Sequence, residues 1–321
     1  MPAIIGHGSE AAGGDYPAIA VLGPTASGKS TLGVALAERF GGEIVTCDAL
    51  QVYRHMNIGT AKPGADERRR VPHHMLDLRD PCDDFSAGDY LRLGREALSA
   101  IRARNRIPIV VGGTGFYLRA LTEGLFAGPG RSAELRQRMR CIVSRRSPEI
   151  IHRALRRVDP AAAAKLAPGD AERNIRAYEI YLLTGHTMSW WQSQPKDSLV
   201  GFRWLKLGLL WPRAQLYARI DTRVEEMFRH GFIEEVQALM ARFPRDCHAF
   251  KAIGYRQVAG HLEGKWSLDA AIEDTQRGSR RYAKRQMTWF RSDREVVWFD
   301  ATTDPGKLFD AVADAITGFL A

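Results

Sequence analysis

The chain has 321 residues, of which 46 are basic and 37 acidic, for a formal net charge of +9. With 45% hydrophobic and 26% charged residues, it has the make-up of a globular protein, which excludes collagen-like, low-complexity and wholly disordered chains. No apolar run approaches the ~20 residues that a membrane-spanning helix needs, so no membrane partner is expected.

Residues 1–16 are rich in Gly and Ala, with no basic start and no sustained apolar stretch. They read as a flexible tail and not as a secretory signal. Ala18–Leu22 is a short apolar run ending at Gly23, the form of a buried parallel strand. A glycine-bearing turn follows, then helical composition from Thr31 to Arg39. Glu43–Cys47 is a second expected strand, ending at Asp48. Residues 51–70 look mostly irregular, with Pro63 pushing Lys62 toward an extended conformation. Ser86 is placed to cap a helix running to about Arg104, with Leu91, Leu98 and Ile101 on its buried side. Ile107–Val111 is a third strand, closed by Gly112 and Gly113. Strands alternating with helices imply a doubly wound parallel sheet.

From residue 122 to 198 only helices are expected, divided by Gly128-Pro129-Gly130, Pro148, Pro160 and Pro168. This stretch reads as a helical insertion between two halves of an α/β core, residues 17–121 and 199–321. Strand character resumes at 204–211. A long amphipathic helix is expected from Arg213 to Met240, interrupted near Gly231, with Leu216, Ile220, Val224, Met227 and Phe228 on one face. Helices near 254–263, 268–291 and 307–320 and a strand at 296–299 complete the chain.

Gly23-Pro-Thr-Ala-Ser-Gly-Lys-Ser30 matches the phosphate-binding pattern G-x-x-x-x-G-K-[ST], and it lies between an expected strand and an expected helix, as that pattern requires. Its glycines let successive N–H groups point inward, and the helix N-terminus adds unpaired donors. The expected contacts to a di- or triphosphate, which the motif does not tell apart, are therefore Gly23, Pro24, Thr25, Ala26, Ser27, Gly28, Lys29 and Ser30, with the Ser30 hydroxyl also available to Mg²⁺. Asp48, at the carboxyl end of the second strand, falls where ligands of such sheets bind. It is a candidate general base or a magnesium ligand through water. The third strand ends in glycines and not in Asp, and no Gln or Glu is evidently placed to activate water, so group transfer is expected over hydrolysis. Thr114 follows those glycines and either faces the same crevice or caps a helix. Arg219 and Arg223, four apart, share a helix face and form either a pyrophosphate clamp or a salt-bridge face with Asp221 or Glu226.

The positive charge is concentrated. Residues 131–157 hold nine Arg, no Lys and two acids, and residues 277–294 hold seven basic residues and one acid. Two such islands on a mildly acidic body read as a polyanion footprint. In the second island Arg277, Arg281, Lys284 and Arg285 lie along one side, with Tyr282 and Trp289 between basic positions, a pattern suited to phosphate contact and base stacking. Trp289 and Phe290 are assigned to the core. Cys47, Cys82, Cys141 and Cys247 form no C-x-x-C pair. They are expected as reduced thiols of a cytoplasmic protein, in neither a zinc site nor a disulfide.

These stretches together resemble the bacterial tRNA dimethylallyltransferases. The resemblance is carried by the phosphate loop, Asp48-Ala-Leu-Gln-Val-Tyr-Arg54, Ile58-Gly-Thr-Ala-Lys-Pro63, Pro72-His-His-Met-Leu-Asp77 and Gly112-Gly-Thr-Gly-Phe-Tyr117. It continues through Asp170-Ala-Glu-Arg-Asn-Ile-Arg-Ala177, Ile253-Gly-Tyr255, Tyr282-Ala-Lys-Arg-Gln286 and Thr288-Trp-Phe-Arg291. It implies a P-loop fold and a Mg²⁺-dependent transfer of the dimethylallyl group of dimethylallyl diphosphate to N6 of an adenosine beside the tRNA anticodon. Asp48, Thr25, Lys29, Arg219 and Arg223 would carry catalysis. Asp48, Ala49, Leu50, Gln51 and Thr114 would meet the target base or its neighbours. Arg136, Glu172, Arg173, Asn174, Ile175 and Arg176 of the insertion, with Arg256, Arg281 and Arg285, would grip the anticodon stem-loop. A monomer is expected, because an enzyme that wraps a stem-loop with its own insertion needs no second copy. The sequence departs from the family at Ala49, usually Ser, and at Phe116 and Tyr178, where Leu is common. Two other readings are a small-molecule kinase or adenine-nucleotide prenyltransferase on the same fold, and a nucleic-acid-binding NTPase. The basic insertion argues against the first of these, and the missing strand-end Asp against the second.

Overall fold

Strands β1 (Tyr16–Leu22), β2 (Gly42–Cys47), β3 (His73–His74), β4 (Ile107–Gly112), β5 (Phe202–Leu210) and β6 (Val296–Asp300) form one sheet in the order β3-β2-β4-β1-β5-β6. Every adjacent pair is parallel. The structure, a computed structural model, describes residues 15–321. Most of the expected tail, residues 1–14, lies outside the described residues, but Tyr16 belongs to β1 and its N–H donates to the Gly201 carbonyl at 2.9 Å.

The central strands have no solvent face. Ala18 to Leu22 are all fully buried, which is why β1 is a continuous apolar run and not an alternating one. Successive residues still feed opposite sides. Ala18, Ala20, Leu22 and Val110 enter the core beneath α3 (Ala87–Ala103), α4 (Gly115–Glu123), α11 (Phe232–Arg242) and α12 (Tyr255–Leu262). Ile19, Val21, Ile109 and Val111 enter the core beneath α1 (Lys29–Phe40) and α14 (Pro305–Leu320). Helix α3 begins with a capping box: Ser86 Oγ accepts from Asp89 N, and the Asp89 carboxylate accepts from Ser86 N. Its buried face is Tyr90, Gly94, Leu98 and Ile101. Leu91, expected there, is half-buried one position away.

Residues 51–70 are less irregular than expected. They contain α2 (Ala65–Arg70), and β3 follows directly. The expected helix break holds: α10 (Arg213–Arg229) stops and α11 starts around Gly231, whose φ of 94° favours glycine. A long helix α13 (Leu268–Arg291) precedes β6.

Contacts divide the chain into two compact units, one holding the sheet and a second spanning Glu123–Ser198. The second unit consists of α5 (Ala133–Arg145), α6 (Glu149–Val158), α7 (Pro160–Ala163), α8 (Ala171–Thr184) and α9 (Met188–Ser193). Its small core of Met139, Ile151, Leu155, Ile175 and Ala177 is supplemented by buried polar groups. The fully buried Glu179 carboxylate accepts from Ser132 N at 2.7 Å, Arg136 Nε at 3.2 Å and an Arg176 guanidinium N–H at 2.7 Å. Burial alone would raise the Glu179 pKa, but these donors hold it below the ordinary carboxylate value. Asp159 likewise accepts from Ala162 N and from Ser189.

The cysteine expectation is corrected. Cys82 and Cys247, 165 residues apart, form a disulfide with their Cα atoms 4.6 Å apart. Cys47 and Cys141 are free. Spacing along the chain carried no trace of the pairing, because the fold brings the two segments together from opposite halves of the sequence.

Candidate active site

The carboxyl ends of β1, β2 and β4 open into a crevice of about 860 Å³. Every residue lining it belongs to the sheet-bearing unit. Its floor is the phosphate loop. A loop whose N–H groups point inward leaves its carbonyls pointing outward, where they need donors. Two distant residues and the loop's own lysine supply them. Trp211 Nε1 donates to Ser27 O at 3.0 Å, Arg219 Nε donates to Ala26 O at 2.9 Å, and Lys29 Nζ donates to Pro24 O at 3.1 Å. Ala26 and Gly28 take the positive φ values, 62° and 90°, that turn the chain into α1.

Gln286 of α13 ties this loop to β4. Its Oε1 accepts from Thr25 N at 2.9 Å, and its Nε2 donates to Gly113 O at 2.9 Å. The glycine pair at the end of β4 has a steric cause. A Cβ at Gly112 would lie 2.0 Å from Cys47 O, and one at Gly113 would lie 2.1 Å from Gln286 Nε2.

Lys29, Asp48 and Arg223 meet in the crevice. Burial, then the charge of Arg223, lowers the Lys29 pKa to about 8 against the opposing pull of Asp48. Arg223 is itself held below its ordinary value by burial, and among the described residues it has no ion-pair partner within 4 Å. Arg219 is already committed to Ala26 O and lies over the Trp211 ring, 4.3 Å from its centroid. The alternative of a salt-bridge face is therefore not realised by either arginine, because Asp221 pairs with Arg280 instead. Asp48 Oδ1 accepts from Leu50 N at 2.8 Å and Gln51 N at 3.2 Å. The Tyr282 phenol at the rim is pushed up to about 12, first by burial and then by Asp48.

Thr25, Ala26, Ser27, Gly28, Lys29, Ser30, Asp48, Ala49, Leu50, Gln51, Arg219, Arg223 and Arg285 all line the crevice. Gly23 and Pro24 are buried behind it. Thr114 is also set back. Its carbonyl accepts from Tyr117 N and Leu118 N at the start of α4, and its buried hydroxyl lies beside the Tyr282 phenol without a well-formed hydrogen bond. No Gln or Glu was expected to be placed to activate water; Gln51, Gln286 and Glu226 do line the crevice. The amide groups of the two glutamines are engaged by backbone, Gln51 through Nε2 to Thr60 O and Ala61 O. Glu226 is exposed. Gln286, Trp211 and Glu235, which braces the loop after Asp48, escaped sequence reasoning because each acts on a segment far away in sequence. The Tyr282-Ala-Lys-Arg-Gln286 motif was the one signal for Gln286.

In the second unit, Asn174 and Ile175 are fully buried. The Asn174 amide donates to Ala167 O and Asp170 O and meets His152. Neither presents a side chain to a ligand, which corrects their expected role. Arg136 and Arg176 turn inward to Glu179, and Arg176 also donates to Pro129 O and Gly130 O. Arg173 points out with a side-chain exposure of 74%, and Glu172 pairs with Arg140. Arg131, Arg145, Arg146, Arg153, Arg156 and Arg157 are exposed, with no ion-pair partner within 4 Å among the described residues. Arg281 is exposed on α13. Arg256 pairs with Asp274 in a separate cleft beside Trp266. Phe290 is core as expected, whereas Trp289 is partly exposed, packed on Phe116 and under Arg119. Among the described residues no group of three His, Cys, Asp or Glu could hold a metal, and no helix is long and apolar enough to cross a membrane.

A profile described as IPP transferase matches residues 51–293. The chain is 50% identical over 288 residues to a tRNA dimethylallyltransferase of Koribacter versatilis, covering 90% of this chain and 94% of the relative. It is 47% identical over 305 residues to one of Solibacter usitatus, covering 95% and 99%. Among solved structures, the full-length tRNA isopentenylpyrophosphate transferase of Bacillus halodurans superposes with a TM-score of 0.71 at 38% identity, covering 95% of this chain and 96% of that one. A eukaryotic dimethylallyltransferase acting on tRNA superposes with a TM-score of 0.77 at 29% identity, covering 94% and 80%. With the profile matching residues 51–293 and relatives 47–50% identical over at least 90% of its length, this chain belongs to the tRNA dimethylallyltransferase, or IPP transferase, family.

Proposed function

We propose that this transferase moves the dimethylallyl group of dimethylallyl diphosphate to N6 of an adenosine beside the anticodon of tRNA, as a monomer in the cytoplasm. The observation that carries the reading is the meeting of Lys29, Arg223 and Asp48 in one crevice floored by the phosphate loop. Two cations and a ring of N–H groups suit a diphosphate leaving group, and a carboxylate beside them suits proton removal from the attacking amine.

The N6 nitrogen forms a bond to the allylic carbon as the carbon–oxygen bond to diphosphate breaks. The amine proton passes to Asp48, and the departing charge falls on the loop amides, Lys29 and Arg223. Donors aimed at charge that develops only in the transition state are worth ~10²–10³ in rate apiece. The target adenosine leaves the anticodon stack to reach the crevice, at a cost of a few kcal/mol. Thr25 and Gln51 line the space beside Asp48 where the base would sit.

A divalent cation fits the residues present in one way. The Ser30 hydroxyl is exposed at the loop and Asp48 lines the same crevice, and most other ligands would come from diphosphate oxygens and water, the usual habit of Mg²⁺. Bound there, it would neutralise part of the diphosphate charge.

Radiolabelled dimethylallyl diphosphate is expected to transfer to unmodified tRNA whose anticodon ends in adenosine; no incorporation at saturating magnesium refutes the activity. We assign the grip on the stem-loop to the outward arginines of the second unit. Replacing Arg156, Arg157 and Arg173 together by Ala is expected to flatten the plot of log binding constant against log salt by about 2 to 3 units. An unchanged slope puts the phosphate footprint elsewhere. Arg176→Ala, by contrast, should lower the melting temperature of the second unit, because it removes a donor from the buried Glu179 carboxylate.

A further inference from the structure

The segment Ile58–Pro63 takes no part in the steps above, yet it is held as firmly as the phosphate loop. Its holder is Glu235 on α11. One Glu235 oxygen accepts from Asn57 N at 2.9 Å and Ile58 N at 2.7 Å, and the other accepts from Gly59 N at 3.2 Å and the Tyr255 hydroxyl at 2.7 Å. Four donors fill the ordinary accepting capacity of a carboxylate, and its charge strengthens each bond. The segment is also pressed close to α11, since a Cβ at Gly59 would come within 2.3 Å of the Phe232 ring. On the other side Lys62 Nζ, nearly buried, donates to Tyr53 O at 2.6 Å and Asp77 Oδ1 at 2.8 Å.

This bracing ends at Gln51. The carbonyls of Thr60 and Ala61 take both protons of the Gln51 amide, at 3.0 and 3.2 Å. That fixes which way the amide faces and leaves Oε1 as its free acceptor in the crevice. Glu235 itself does not line the crevice.

We propose that Glu235 is a positioning residue: through the 57–61 turn it orients the Gln51 amide so that Oε1 meets the target base as a hydrogen-bond acceptor. This rests on the reading that Gln51 contacts that base. A misplacement of about 1 Å at such a contact can cost ~10²-fold in rate.

The test is a double-mutant cycle in the full-length enzyme, reading kcat/KM for tRNA at saturating dimethylallyl diphosphate, with the affinity for inorganic pyrophosphate as a second readout. Gln51→Ala is expected to lower kcat/KM for tRNA by about 10- to 100-fold and Glu235→Gln by about 10-fold. If Glu235 acts through Gln51, the double variant falls no more than about twofold below Gln51→Ala, because coupled residues are non-additive. Pyrophosphate affinity should stay within about twofold throughout. Should Glu235→Gln not fold, Glu235→Asp, which keeps the charge but withdraws it by one methylene, completes the same cycle. If Glu235 substitution costs the same factor with and without Gln51, its role is only structural; the proposal falls and the reading of Gln51 stands. If Gln51→Ala transfers at a near-normal rate, the reading of Gln51 fails and takes the proposal with it.

Discussion

Asp48→Asn is expected to lower the transfer rate by about 10²–10⁴-fold, the usual worth of a positioned general base, while tRNA binding stays nearly unchanged. The substitution isolates the chemistry because the carboxylate has two separate jobs. Its Oδ1 holds the turn after β2 by accepting from Leu50 N and Gln51 N, and an asparagine carbonyl can do the same. What Asn cannot do is take a proton. The turn, and with it Gln51, should keep its place while the amine is left without a base. A single-turnover assay with preformed enzyme–tRNA complex measures the step directly, and a near-normal rate would remove Asp48 from the reaction.

Lys29→Ala is expected to lower kcat/KM for dimethylallyl diphosphate by about 10²–10³-fold. The lysine is the loop's mobile charge, and its depressed pKa gives it a pH signature. It is protonated in the free enzyme below about 8 and neutral above. The diphosphate favours the protonated form, so kcat/KM of the native enzyme should fall as pH rises through about 8, since that parameter reports free-enzyme pKa values. In Lys29→Ala the rate is low throughout and this limb should vanish. Persistence of the same limb in the variant would assign it to another group.

How far the sequence foretold these features depended on the range of the interactions. The phosphate loop and Asp48 were legible because their geometry is written in a few contiguous residues between two apolar runs. Buried parallel strands were legible because burial on both faces leaves an uninterrupted apolar stretch. Helix α2 and strand β3 were not, since six residues, five of them charged, and two histidines carry no periodicity long enough to read. Arg173 and Arg176 show the limit of spacing arguments. They are one turn apart and both are expected on the stem-loop, yet Glu179 draws Arg176 inward while Arg173 stays in solvent. The deciding partner stands only three residues along the same helix, but its own burial depends on α5 and α8 packing together, which spacing does not show. Glu235, Gln286 and the cystine escaped for the same reason: each is a long-range contact.

The bracing of the phosphate loop also sets when the enzyme can first work. Its backbone is completed by Trp211, Arg219 and Gln286, which lie 184, 193 and 261 residues beyond their partners. β1, which leads into the loop, is flanked by β4 and β5, so one of its edges stays unpaired until β5 has been made. At ~5–20 residues per second, a ribosome reaches Gln286 about 13 to 50 s after Lys29. A diphosphate therefore meets no finished cradle on the growing chain. The capacity to bind arrives late and together with the rest of the sheet, so partly made or truncated chains should not sequester the prenyl donor.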